Sequence, residues 1–198
     1  MRPTLFLVSL ALVLMYGAGA SADSSSSRKG ERVAEASASK HLALYRRDRR
    51  LRDRVPRATR NRPIFGAGEV SFRTSRYVGK RVRGLRTWIA LSPKRDAICW
   101  LTRMSLRCPP MQVITGKGVA ASMSHRGGSL LVTAVVADGI RRVKATLNGV
   151  ARGGRFRRNF VAFRLPDPAR PSPALLDISW RAATGEMRHD RWMLPPSG

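Results

Sequence analysis

The chain has 198 residues, of which 38 are Lys or Arg and 12 are Asp or Glu, so its formal net charge is +26. The length suits one domain with or without a tail, and a hydrophobic fraction of 43% can build a core, which argues against a wholly disordered chain. Two cysteines exclude a disulfide-dense mini-protein and any metal site that needs four thiolates from one chain.

The first 22 residues have the pattern of a secretory signal peptide. Arg2 supplies a positive charge, and Leu5 to Tyr16 is an apolar run with one Ser. Ala20 and Ala22 then form a small-x-small site, which predicts cleavage between Ala22 and Asp23. As a helix the apolar run would rise only about 18 Å, too little for a bilayer core of about 30 Å. The sequence therefore predicts a secreted or envelope-associated protein.

The next two segments are predicted to lie outside the main domain. Residues 23–40 contain the serine run Ser24 to Ser27, followed by Lys, Arg, Glu, Ala and Ser with no aromatic residue, a composition typical of a disordered linker. Residues 41–66 are predicted to form a short helix that begins near Leu42 and a connector rich in arginine, with Pro56 as a helix stop. Nine arginines lie between Arg46 and Arg62.

Residues 67–198 are predicted to form a mainly β domain. Residues 69–72 are a weak first strand, and the apolar runs 87–91 and 97–101 predict a hairpin around a Pro- and Asp-containing loop. Leu130 to Ala137 is apolar on both faces except for one Thr, as in a buried central strand. The spacing predicts a small antiparallel β-sandwich-like or barrel-like domain with one disulfide. Period-two strands are predicted in 141–147, 159–165 and 176–181, and turns at Asp138-Gly139 and Asn148-Gly149.

Cys99 and Cys108 stand at the two ends of a segment that can fold back on itself. In the oxidising compartment that the leader predicts, a structural disulfide between them is expected. A redox role is disfavoured because eight residues separate the two cysteines, whereas redox motifs place them two residues apart.

Four motifs follow one another along the chain. The first is a short segment with paired Arg that is followed by an Asp-x-hydrophobic-Pro sequence. The second is a strand that ends in proline and precedes a hydrophobic-Cys-hydrophobic strand. The third is a run of valines before Asp-Gly, and the fourth is an Asn-aromatic-Val strand. In this chain the first motif is Leu42 to Arg47 with Asp53-Arg54-Val55-Pro56, and the second is Trp88 to Pro93 with Ile98 to Leu101 and Cys108. The third is Val135 to Val143, and the fourth is Arg158-Asn159-Phe160-Val161.

This order, over about residues 42 to 186, resembles secreted, uncharacterised single-disulfide β-domain proteins of high-G+C, actinobacterial-type bacteria. The chain departs from the pattern at Ala137, where proline is usual, and in its higher density of arginine. The resemblance implies export and architecture. It implies no mechanism, because no activity is established for that family.

No catalytic motif is found. His41, His125 and His189 lack the spacing of a zinc site, and the sequence has no nucleophile elbow, no Ser-x-x-Lys motif and no phosphate-binding glycine loop. His189 and Asp190 are neighbours, but adjacent side chains on a strand point to opposite faces. A carboxylate pair of the glycosidase type stays open among the seven acids after residue 64. The sequence predicts a protein that is not an enzyme and needs no metal or cofactor.

The positive charge has two explanations. Arg outnumbers Lys 32 to 6, as a G+C-rich genome would favour, whereas the shortage of acids favours a surface that binds a polyanion by counterion release. The predicted function is a secreted or envelope-associated non-catalytic β-domain protein. The alternative is a secreted binder of nucleic acid, anionic wall polymer or lipid, without a specific nucleic-acid motif. Its candidate residues are Arg141, Arg142, Lys144, Arg152, Arg155, Arg157 and Arg158.

Overall fold

The structure is a computed structural model that describes residues 20–61, 70–79, 86–102, 105–125, 128–166 and 172–196. The helices among these residues are α1 (Ala20–His41), α2 (Ala43–Arg46), α3 (Arg57–Arg60) and α4 (Met111–Lys117). The strands are β1 (Ser71–Tyr77), β2 (Trp88–Ser92), β3 (Ala97–Leu101), β4 (Leu106–Arg107), β5 (Val119–His125), β6 (Ser129–Val136), β7 (Arg141–Leu147), β8 (Val150–Gly153), β9 (Arg155–Arg157), β10 (Phe160–Pro166), β11 (Ala174–Arg181) and β12 (Met187–Leu194).

These strands form three antiparallel sheets. Sheet 1 has the order β1-β2-β3-β4, sheet 2 the order β5-β6-β10-β9, and sheet 3 the order β12-β11-β7-β8. The predicted mainly β, sandwich-like fold is confirmed, as is the hairpin of β2 and β3, in which Ala90 lies opposite Cys99. The turn between β7 and β8 is also confirmed, because Asn148 and Gly149 both have positive φ, at 48° and 79°.

Sheet 2 is the middle layer. One face packs against sheet 3, where Val161 and Phe163 of β10 share a core cluster with Trp180 of β11. The other face packs against sheet 1, where the Trp100 indole Nε1 donates to Thr133 Oγ1 over 3.1 Å. This double burial explains why the sequence of β6 is apolar on both faces.

The chain crosses from sheet 3 to sheet 2 at Gly154, between β8 and β9. A Cβ on this residue would overlap the side chains of Val161 and Phe163, so only glycine allows the backbone to pass so close to the core. The crossing places β8 and β9 at neighbouring edges of the two layers.

The outer face of sheet 1 is covered by the arginine-rich connector. Val55 is buried there against Trp88 and Leu101, and the Trp88 indole Nε1 donates to the carbonyl of Arg52 over 3.3 Å. The predicted disulfide is confirmed, because Cys99 and Cys108 are bonded and lie in the same cluster. A disulfide is typical of an oxidising, non-cytoplasmic compartment.

The N-terminal segment differs from the sequence prediction. Residues 23–40, predicted as a disordered linker, lie within α1. Gly30, Ala34 and Ala38 recur every fourth residue: a Cβ on Gly30 would lie 3.9 Å from Pro93 Cβ, while Ala34 and Ala38 join the core cluster of sheet 1. A stripe of small residues lets α1 approach sheet 1 closely, so the helix is packed against the core without large apolar side chains. The absence of such side chains is the reason that the sequence predicts disorder here.

Two carboxylates fix α1 to β1. Glu31 Oε1 accepts a hydrogen bond from Ser71 Oγ over 2.6 Å, and Glu35 Oε1 lies 3.0 Å from Arg76 Nη2. Arg76 is buried, and its guanidinium lies 5.2 Å from the centre of the Tyr45 ring. A buried guanidinium requires such partners, so Glu35 and Tyr45 make α1 and α2 part of the packed structure.

Some of the sequence predictions fall outside the described residues. These are the leader up to residue 19, residues 62–66 of the connector, and Glu69, the first residue of the weakest strand prediction. The predicted cleavage position, between Ala22 and Asp23, lies in the first turn of α1.

Candidate anion-binding surfaces

The outer face of sheet 3 is open to solvent. Strand alternation sends Leu176, Ile178 and Trp180 into the core and the residues between them outward. The cations on the outer side come from three neighbouring strands, and a single carboxylate, Asp177, accompanies them among the outward residues of β7, β11 and β12. We call this surface the sheet-3 face; its polar and charged members are Arg141, Lys144, Thr146, Asp177, Ser179, Arg181, His189 and Arg191.

The strand register places two cations directly opposite each other on the sheet-3 face. Arg141 lies opposite Arg181, and Lys144 lies opposite Ser179, which itself lies opposite His189. Like charges directly opposite each other on a sheet are destabilising. A bound anion would remove that cost, so the register favours an anionic ligand.

Asp177 is already occupied by neighbours on β12. Its carboxylate lies 3.1 Å from His189 Nδ1 and 3.5 Å from Arg191 Nε. Among the described carboxylates, none pairs with Arg141 or Lys144. The sheet-3 face therefore keeps an excess of positive charge.

The structure divides the seven residues that the sequence proposed as one cluster. Arg141 and Lys144 lie on the sheet-3 face, and Arg142 is exposed at the register shift of β7 with φ of 56°. Arg152 lies on the edge strand β8 opposite the buried Ala145 and so on the inner side of the sheet. The remaining three belong to sheet 2: Arg155 and Arg157 on β9, opposite Ala162 and Phe160, and Arg158 in the turn to β10.

Arg158 lies beside the connector instead of the sheet-3 face. The next residue, Asn159, holds the turn against α2, because its Oδ1 accepts a hydrogen bond from the Leu44 amide over 2.9 Å. Burial and the positive charges of Arg47, Arg52 and Arg50 lower the pKa of Arg158. Burial is the main cause of this lowering, and the charges of the three neighbouring arginines add to it.

The connector is organised around one buried carboxylate. Asp53 accepts hydrogen bonds from both terminal nitrogens of Arg47 (2.7 and 2.6 Å) and from the amides of Arg50 and Tyr77 (2.7 Å each). Burial alone raises the pKa of Asp53, but these four hydrogen bonds outweigh it and bring the pKa to about 2. Asp53 is thus ionised and fully engaged inside the connector.

The arginines that surround this centre point into solvent. Burial, and after it the charges of Arg76 and Arg54, lower the pKa of Arg49. We call this second surface the connector cluster; its members, all exposed, are Arg49, Arg50, Arg52, Arg54 and Arg158.

One arrangement on the sheet-3 face has the residue types of a nucleophilic triad. Ser179 lies opposite His189, and His189 Nδ1 is 3.1 to 3.2 Å from Asp177. However, no hydrogen bond joins Ser179 to His189, and all three lie on an open sheet face, whereas triads work in a site that excludes water. As expected from strand alternation, Asp190 does not pair with His189; it lies 3.7 Å from Lys117 Nζ on the inner side.

The residues that the structure describes contain no group of three or more His, Cys, Asp or Glu placed to hold a metal ion. Within the same residues, no helix combines the length and the apolar character needed to cross a bilayer.

Comparison with known proteins gives no match: no family model, no curated protein and no solved structure resembles the chain significantly.

Proposed function

We propose that this is an exported, non-catalytic β-sandwich protein that binds polymers bearing phosphate groups through the sheet-3 face. The observation that carries the proposal is the placement, by strand register, of Arg141, Lys144, Arg181 and Arg191 on one open face with a single, already paired carboxylate. Such a surface attracts a polyanion through release of its counterions and does not require base-specific contacts.

Export is supported by two observations. The leader pattern of residues 1–22 ends in a cleavage site before Asp23, and the disulfide of Cys99 with Cys108 is typical of an oxidising compartment. Mass spectrometry of the protein recovered from the outside of expressing cells should give a chain that begins at Asp23. Recovery of the uncleaved chain in the cytoplasm would contradict export.

The binding proposal is tested by a salt series with short duplex DNA and with inorganic polyphosphate as probes. The matched variants each lose three cations: Lys144→Ser/Arg181→Ser/Arg191→Ser on the sheet-3 face, and Lys29→Ser/Lys40→Ser/Lys94→Ser at exposed positions outside both surfaces. With DNA, each lost phosphate contact lowers the slope of log K against log salt by about 0.9, so the sheet-3 variant should lose about two to three units of slope.

The control variant should keep a slope near that of the wild type. Equal losses in both variants would mean that only net charge matters, as composition bias predicts, and would overturn the proposal. Binding to anionic phospholipid vesicles without binding to either polymer would also overturn it.

A further inference from the structure

We propose that the sheet-3 face and the connector cluster bind two separate phosphate-bearing polymers at the same time, so that one protein molecule bridges them. This inference rests on the proposed function and adds a second site, with the same ligand chemistry, on the opposite side of the molecule.

The layer order separates the two surfaces. The connector lies on the outer face of sheet 1, as the contacts of Val55 with Trp88 and Leu101 show. Sheet 2 lies between sheets 1 and 3, and the sheet-3 face points away from it. Packed sheets are about 10 Å apart, so about 20 Å separates the outer face of sheet 1, which carries residues 49–54, from sheet 3. Arg158 lies nearer, in the β9–β10 turn at the edge of the middle sheet. A straight polymer lying on the sheet-3 face therefore cannot touch residues 49–54.

The connector is held firmly to the layers despite its irregular backbone. Ser75 Oγ donates to the Asp53 carbonyl over 2.6 Å, and the Tyr77 amide donates to the Asp53 carboxylate, so β1 fixes the connector twice. The Trp88 indole Nε1 adds a bond to the Arg52 carbonyl from β2. Because both surfaces belong to one packed body, a polymer bound to each would be held at a fixed separation.

Each surface also keeps its charge. In the connector, the Asp53 carboxylate is bound by Arg47 and two backbone amides. The four exposed arginines of residues 48–54 outnumber the one exposed carboxylate there, Asp48. On the sheet-3 face, Asp177 is engaged by His189 and Arg191. Two basic surfaces, each with more cations than carboxylates, are suited to joining two polyanions.

Bridging is measured by sandwich capture with duplex DNA shorter than its persistence length of about 150 base pairs, which cannot bend around the protein. One duplex is immobilised at low density, the exported and processed protein is added, and a second, fluorescent duplex is then offered. The wild type should capture the second duplex. Capture should be lost in Lys144→Ser/Arg181→Ser/Arg191→Ser and also in Arg52→Ser/Arg54→Ser/Arg158→Asn, which removes three cations from the connector cluster.

Both triple variants should still bind one duplex in solution, while Lys29→Ser/Lys40→Ser/Lys94→Ser should capture as the wild type does. Folding is checked by circular dichroism and by urea midpoints for all variants. Wild-type binding to a single duplex without capture of a second would overturn bridging and leave the proposed function standing. Capture that persists in either surface variant would assign bridging to self-association and would likewise overturn it. Absence of any DNA or polyphosphate binding would overturn both proposals.

Discussion

The two basic surfaces have the same chemistry on different supports. On the sheet-3 face the cations project from regular strands, and their positions follow from backbone register. In the connector cluster they project from a segment with little regular structure, whose shape depends on one buried carboxylate, Asp53. A single substitution should therefore disorganise the connector, whereas the sheet-3 face should lose charge without losing its shape.

The largest expected effect comes from Asp53→Ala. The change leaves the half-buried Arg47 and the amides of Arg50 and Tyr77 without their acceptor, and breaking a buried ion pair costs about 3–5 kcal/mol. Urea denaturation should show that loss, and the exposed Asp48→Ala should stay within about 0.5 kcal/mol of the wild type. Similar stabilities for the two variants would contradict the central role of Asp53.

Removal of the disulfide by Cys99→Ala/Cys108→Ala should come second. The bond closes a ring of about ten residues, which stabilises the fold by roughly 2.5–3 kcal/mol through the entropy of the unfolded chain. Both cysteines lie in the cluster between sheet 1 and the connector. Amide hydrogen exchange should therefore accelerate first in sheet 1 and the connector, with sheet 3 still protected. Uniform acceleration in all three sheets would contradict this separation.

Acid should weaken the connector over a defined range. The pKa of Asp53 is about 2 in the folded protein against an ordinary value of 3.8. Between these two pH values the unfolded state thus binds more protons than the folded state. The ionised Asp53 carboxylate stabilises the folded protein by about 2 kcal/mol above about pH 4, and this stabilisation is lost as the pH falls towards 2. The difference in stability between the wild type and Asp53→Asn should shrink over that range. A constant difference would show that the carboxylate is not preferentially ionised in the folded state.

The smallest effect on stability is expected for Arg181→Ser. Arg181 donates one hydrogen bond to the carbonyl of Gly185 and lies opposite Arg141, so the loss of a surface contact is offset by relief of like-charge repulsion. Urea denaturation should show a free energy of unfolding within about 0.5 kcal/mol of that of the wild type. A loss of several kcal/mol would mean that the sheet-3 face is structural.

The strands of the core could be predicted because their pattern is local. Val143, Ala145 and Leu147 alternate with polar residues, and all three are buried as expected. Helix α1 could not be predicted in the same way, because Gly30, Ala34 and Ala38 are small and reveal a packing stripe only once the partner surface is known. The sequence features that indicate this helix are small residues at every fourth position and the similarly spaced Glu31 and Glu35.

The candidate surfaces were predicted in part. The sequence identified Arg141 and Lys144, but Arg181 joins them only through the register of β7 with β11, and Arg191 only through the register of β11 with β12. Arg158 was assigned to the same cluster because it is close in sequence. It lies instead near Arg50 and Arg52, about a hundred residues away in the sequence, because the turn at Asn159 packs against α2.

The most direct test of localised binding is a backbone amide NMR titration of the exported protein with short-chain polyphosphate. Chemical shifts should move at Lys144, Arg181 and Arg191 and, as a second group, at residues 49–54 and 158, while α1 and the edge strand β5 stay unchanged. Shifts that spread evenly over exposed arginines and lysines of all surfaces would contradict the account and make the positive charge a property of composition.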